Sequence, residues 1–141
     1  MNTIIIEYEA EVNGCTPTLN ISTTHNNSMK YDVVEHGTHT ITQLINFSVI
    51  DKLRIKFANK VHSNSGETWL YIKKISIDGV DLGHTILEGK QWPQYDTQFH
   101  NTFNPPDFYQ PGTKFFHNGV YELSIQLPIW KWYVNSVEQN A

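Results

Sequence analysis

Thr3-Ile4-Ile5-Ile6-Glu7-Tyr8-Glu9-Ala10-Glu11-Val12 decides the fold class, because apolar residues recur in it at every second position. Ile4, Ile6, Tyr8, Ala10 and Val12 share one face and Glu7, Glu9 and Glu11 the other, which is the period of a half-buried strand. Asn13-Gly14 follows at once, and Leu19 and Ile21 alternate within Pro17 to Thr23. A tight-turn hairpin that pairs these first two strands is the expected start. The composition agrees: 14 Ile, 9 Val and 13 Thr stand against 3 Ala, and 13% of residues are aromatic, so strand formers outweigh helix formers. At 141 residues the chain is long enough for one domain with a sizeable core and short for two, so 1–141 is read as a single domain.

Further along, Thr24 to Gly37 is a polar linker with His25, Asn26, Asn27, Ser28 and Lys30, and only Tyr31, Val33 and Val34 to pack. Thr38 to Phe47 and Lys52 to Phe57 read as strands, the second the cleaner, with Leu53, Ile55 and Phe57 alternating with Arg54 and Lys56. In Thr68 to Asp78 the apolar parity changes: Leu70 and Ile72 share one, Ile75 and Ile77 the other. A one-residue slip exchanges the two faces of a strand, so Lys73-Lys74 is expected to be a bulge or a crossing point. Asp78-Gly79 then turns the chain into Val80 to Leu87 as a second hairpin. Gly89 to Gly112 holds Trp92, Tyr95, Phe99, Phe103, Phe108 and Tyr109 with four prolines and no sustained period, and is read as one long irregular loop that forms a specialised surface. Tyr121, Leu123, Ile125 and Leu127 restore the alternation up to Pro128, and Ile129 to Val134 is read as a last strand with Trp130 and Trp132 on one parity. Seven to nine short strands without a helix predict an all-β fold, an antiparallel, jelly-roll-like β-sandwich.

Several functions are excluded by what is absent. A net charge of −4 has the wrong sign for a module that gains affinity by neutralising phosphates, so nucleic acid is not an expected partner. Met1 to Ile6 has no basic region and no apolar run nears the roughly 18 residues of a membrane span, so neither a secretion signal nor a membrane is expected. The lone Cys15 has no partner for a disulfide or a Cys-rich zinc site. His25, His36, His39, His62, His84, His100 and His117 are scattered, and no serine stands in a nucleophile elbow. His36 and His39 flank Gly37 with no adjoining carboxylate cluster, and so read as a structural or solvent-facing pair. Asp78 and Asp81 resemble a fragment of a calcium loop without the further oxygens that a roughly six- to eight-coordinate ion needs, and a turn-forming Asp-Gly accounts for them. No phosphate loop and no glycosidase-like carboxylate pair is present. No catalytic residue is assigned and no enzyme is expected.

The remaining signal is aromatic. Flat Trp and Tyr faces stack on sugar rings, and the same residue types dominate protein interfaces. Trp69 and Tyr71 share a strand face and Trp92 and Tyr95 lie in the long segment, which makes these four the sugar-stacking candidates.

Three runs carry a family resemblance: Leu53-Arg54-Ile55-Lys56-Phe57-Ala58-Asn59-Lys60, Ile75-Ser76-Ile77-Asp78-Gly79-Val80-Asp81-Leu82, and Asn118-Gly119 through Lys131-Trp132. Over about residues 50 to 134 the chain resembles small proteins of tailed phages, especially cyanophages, which in turn resemble calcium-dependent xylan-binding modules of jelly-roll fold. In such relatives an Asn-Lys segment is followed by an Asp-Thr pair and further Asp residues, whereas Val61 to Thr68 here has Glu67 as its only acid. The resemblance implies a virion-associated sandwich that decorates the head or belongs to the tail fibre or baseplate, and the absent catalytic groups, the low charge and the aromatic Pro-rich segment make the leading reading a non-enzymatic capsid decoration protein made in the host cytoplasm. It would dock on other virion proteins through Trp92, Tyr95, Phe103, Phe108 and Tyr109 and self-associate, as parts present in many copies do. The alternative is a carbohydrate-binding module or tail-associated adhesion domain that stacks a cell-surface glycan, with Asp78 and Asp81 as calcium candidates.

Overall fold

The computed structural model describes residues 1–24, 29–33, 35–61 and 66–139. The polar run His25 to Ser28, Val34, and His62 to Ser65 lie outside the described residues.

Two antiparallel sheets face each other. In the first, β4 (Gly37–Ile45), β1 (Asn2–Glu11), β6 (Trp69–Ile77) and the short β7 (Val80–Asp81) lie in that order, and the short β9 (Lys114–Phe115) also pairs with β6. In the second the order is β3 (Met29–Asp32), β2 (Thr18–Ser22), β5 (Ile50–Ala58), β10 (Gly119–Gln126) and β8 (Lys90–Pro93). The alternating residues of both sheets form one buried cluster, with Ile4, Ile6 and Tyr8 of β1 and Leu70, Ile75 and Ile77 of β6 opposite Leu53, Ile55 and Phe57 of β5 and Tyr121 and Leu123 of β10. This is the all-β sandwich expected from the alternation.

The parity change in β6 is a bulge. Glu7 of β1 stands opposite Lys74 and Tyr8 opposite Ile72, so Lys73 is the extra residue, and both lysines are exposed between buried Ile72 and Ile75.

Four sequence expectations are corrected. The first two strands do not pair: β1 lies between β4 and β6, while β2 lies between β3 and β5. Both edges of β1 are taken by distant partners, and Val12 to Pro17 carries the chain between sheets that stack about 10 Å apart. Val80 to Leu87 pairs only over Val80–Asp81 and then winds into a 3-10 turn, Gly83–Glu88, that buries Thr85 and Ile86. The aromatic segment is not a bare loop, since it contains β8 and the helix α1 (Thr97–Phe103). Finally, the chain after Pro128 is a helix, α2 (Ile129–Gln139), rather than a strand. Ile129 is buried and Trp132 and Tyr133 pack on the core, an i, i+3, i+4 pattern that puts Trp130 and Trp132 on different faces.

Candidate functional site

The site lies where β8, the edge strand of one sheet, meets β9 of the other. Gln91 holds that junction. Its side chain is 1% exposed, and its amide nitrogen donates to the carbonyls of Gly112 at 2.9 Å and Lys114 at 2.7 Å. Its backbone exchanges hydrogen bonds with Tyr109 at 2.8 and 2.9 Å. A Cβ on Gly112 would stand 2.3 Å from the Gln91 nitrogen, so only glycine lets the two backbones come this close. The chain from Tyr109 to Lys114 is thereby fixed to β8.

Asn118 fixes the other wall. Its Oδ1 accepts the Lys60 N–H at 2.8 Å and its Nδ2 donates to the Lys60 carbonyl at 3.1 Å. The Lys60 ammonium donates to the Phe116 carbonyl and pairs with Glu67 at 3.5 Å. Between these anchors is a cleft of about 520 Å³, lined by Lys60, Glu67, Gln94, Asp96, Phe99, Phe116, His117 and Asn118. Phe116 and His117 also wall a second cavity of about 360 Å³ with Gln91, Tyr109, Pro111 and Lys114. A third hollow, about 380 Å³, lies between Pro93, Tyr95, Thr97, His100 and Asp107.

Aromatic rings run through this region in contact. His117 sits 4.9 Å from Tyr95 and 4.6 Å from Phe99, Phe99 stacks on Tyr95 at 5.5 Å, and Phe103 follows at 4.9 Å. Helix α1 sets these positions. Asp96 caps it by accepting the Phe99 N–H at 2.8 Å, and Phe99 and Phe103, one turn apart, fall on one side. The Tyr95 hydroxyl donates to the Pro106 carbonyl at 2.8 Å, and burial together with the Tyr109 hydroxyl raises its pKa, so it stays a neutral donor.

The sequence-predicted residues divide between two faces. Trp92 is on the outward face of β8, 45% exposed and 5.1 Å from Phe108. Trp69 and Tyr71 lie on the outward face of β6, in the other sheet, where Trp69 Nε1 donates to Glu11 at 2.8 Å and the Lys114 ammonium lies 5.5 Å from the Trp69 ring. The four sugar-stacking candidates are therefore not one platform. Of the interface candidates, Phe103, Phe108 and Tyr109 are exposed. Phe116, 47% exposed and central to two cavities, was not singled out, nor were Phe99, Lys114 and His117.

The remaining titratable candidates are tied locally. His36 Nδ1 accepts the Val12 N–H at 3.1 Å, and His39 contacts the Glu35 carbonyl at 3.1 Å and the Tyr8 ring at 5.4 Å. Asp78 accepts the Thr3 N–H at 2.9 Å and the Asn2 amide at 2.6 Å. Asp81 accepts the Gly83 N–H at 2.9 Å and pairs with Lys74 at 3.6 Å. Among the described residues no three His, Cys, Asp or Glu side chains are grouped closely enough to hold a metal.

No family model matches the chain. No curated protein matches it either. Among solved structures, the selenomethionine form of vCBM60 is similar in fold, with a TM-score of 0.57 and 12% identity over 87% of this chain and 90% of that one. It comes from work on two families of calcium-dependent carbohydrate-binding modules linked by circular permutation. The likeness supports the sandwich that the resemblance to xylan-binding modules implied. It does not extend to the tailed-phage proteins. Asp78 and Asp81 each hold a turn or a strand edge, and among the described residues no further His, Cys, Asp or Glu side chains gather around them.

Proposed function

We propose that the chain is a non-catalytic glycan-binding domain that takes a polysaccharide segment in the cleft between Phe99 and Phe116. The observation that carries this reading is the convergence of two aromatic walls with the side chains of Gln94, Asp96 and Glu67 in one open cleft of about 520 Å³. Ring faces take the C–H faces of sugars, and carboxylate and amide oxygens accept their hydroxyl hydrogens. One oxygen of Asp96 caps α1, which leaves the other for a ligand. The likeness in fold to vCBM60 adds support.

The test is affinity electrophoresis in gels cast with neutral polysaccharides, xylan among them. The wild-type chain is expected to be retarded, and Phe116→Ala to lose about 2 kcal/mol, roughly thirtyfold in affinity, as at a binding hot spot. Its thermal stability is expected to stay unchanged, because Phe116 is 47% exposed. Migration unaffected by any polysaccharide would refute the reading.

A second reading, attachment to other virion proteins, draws on α2. Trp130, Val134 and Val137 recur one turn apart and are all exposed, an apolar stripe of the kind that docks on protein. Mass spectrometry of purified particles tests it, and their lacking the chain would end it.

A further inference from the structure

We propose that the outward face of the sheet ordered β3-β2-β5-β10-β8 is a binding surface for acidic polysaccharide, a second contact area that rests on the glycan-binding reading. The strand register sets Lys30, Asn20, Lys56, Val120 and Trp92 side by side in one row. The row crosses all five strands, about 19 Å at the usual strand spacing. The neighbouring row carries Ser22, Arg54, Glu122 and Lys90, and Lys52 lies opposite Ser124 in the row beyond.

Charge is segregated onto this face. Half of the chain's ten Lys and Arg are here, facing two carboxylates, Asp32 and Glu122, a local excess of three positive charges in a chain of net charge −4. Glu122 is committed to Lys52 at 3.1 Å and Arg54 at 3.0 Å. Among the described residues no carboxylate lies within ion-pair distance of Lys30 or Lys56, while Lys90 lays its ammonium 4.8 Å from the Phe108 ring. Lys30 and Lys56 therefore mark one line that ends on the exposed Trp92–Phe108 pair, with Lys90 beside its end.

That layout suits a polymer with widely spaced anions and flat apolar ring faces. Lys30 and Lys56 stand two strands apart, about 10 Å. Asn20 lies between them as a donor for hydroxyls, and Trp92 offers a stacking face. Duplex nucleic acid carries a phosphate about every 1.7 Å of axis and rewards a denser basic field. The rest of this molecule, formally −7, would repel it. Acidic polysaccharide is the occupant the face fits.

The experiment compares calorimetric titrations of the wild-type chain with the variant Lys30→Gln/Lys56→Gln/Lys90→Gln, at low and moderate salt. The ligands are polygalacturonate, chondroitin sulfate, a neutral xylan and a short DNA duplex. The expected result is tighter binding of the two acidic polymers than of xylan. The variant should bind the acidic polymers about tenfold more weakly, with a flatter salt dependence, and bind xylan unchanged. Lys56→Glu alone should produce a loss of the same sign, so the result does not depend on the triple variant folding. Wild-type affinity for acidic polymers in both variants overturns the proposal and leaves the glycan reading standing. Tighter, lysine-dependent binding of DNA overturns it in favour of nucleic acid. Failure of the wild type to bind any polysaccharide overturns both the proposal and the reading beneath it.

Discussion

Asp51 shows how a single side chain closes one end of the sandwich. It is 3% exposed, and its carboxylate accepts the backbone N–H groups of Ser48 at 2.8 Å, Thr24 at 3.0 Å and Lys52 at 2.8 Å. Burial opposes its charge, but these three donors outweigh the burial and hold its carboxyl below the usual carboxylate range. A lowered folded-state pKa stabilises the protein above the unfolded value, near 3.9, and that contribution is lost as pH falls through the folded value. Asp51→Asn keeps the shape but offers one acceptor oxygen for three donors. It is expected to cost about 1–3 kcal/mol at neutral pH and to make urea midpoints less sensitive to acid below about pH 4. An equal acid sensitivity in variant and wild type would count against this role.

At the scale of elements, the bulge in β6 makes an unusual prediction. Removing Lys73 leaves Leu70, Ile72, Ile75 and Ile77 in unbroken alternation opposite β1, so the deletion is expected to be tolerated, with cooperative thermal unfolding kept. Removing Tyr71 instead sends Leu70 toward solvent and Trp69 toward the core, and is expected to abolish folding. Circular dichroism melts of the two deletions distinguish them. The bulge was readable from sequence because parity is a local signal, and β1, β5 and β10 were readable for the same reason. The separation of β1 from β2 was not, because an Asn-Gly turn says nothing about which distant strands occupy the edges of β1. In α2 the run Ile129 to Val134 is too short to separate a period of 2 from one of about 3.6. Helix α1 buries no residue, so it has no core-facing stripe to read, and its local marks are the Asp96 cap and the left-handed Asn104 that ends it ahead of Pro105. The aromatic segment itself stood out by composition, whereas Phe116 did not. Phe115 and Phe116 are adjacent in an extended stretch, so one ring had to point outward, and that alternation could have flagged Phe116.

For the whole molecule, the glycan binding proposed for the aromatic cleft draws on neither Asp78 nor Asp81. Chelation with EDTA is therefore expected to leave both polysaccharide retardation and melting temperature unchanged. A melting temperature that falls on chelation and returns with calcium would show that a metal is part of the fold. Binding in the cleft is tested by a heteronuclear NMR titration of the full chain with a soluble oligosaccharide that retards it in gels. Saturable shifts are expected to concentrate in the amides of residues 94–99 and 114–118 and to be lost in Phe116→Ala. Shifts confined to Trp69 and Tyr71 on the outward face of β6, or to the α2 stripe, would contradict binding in the cleft.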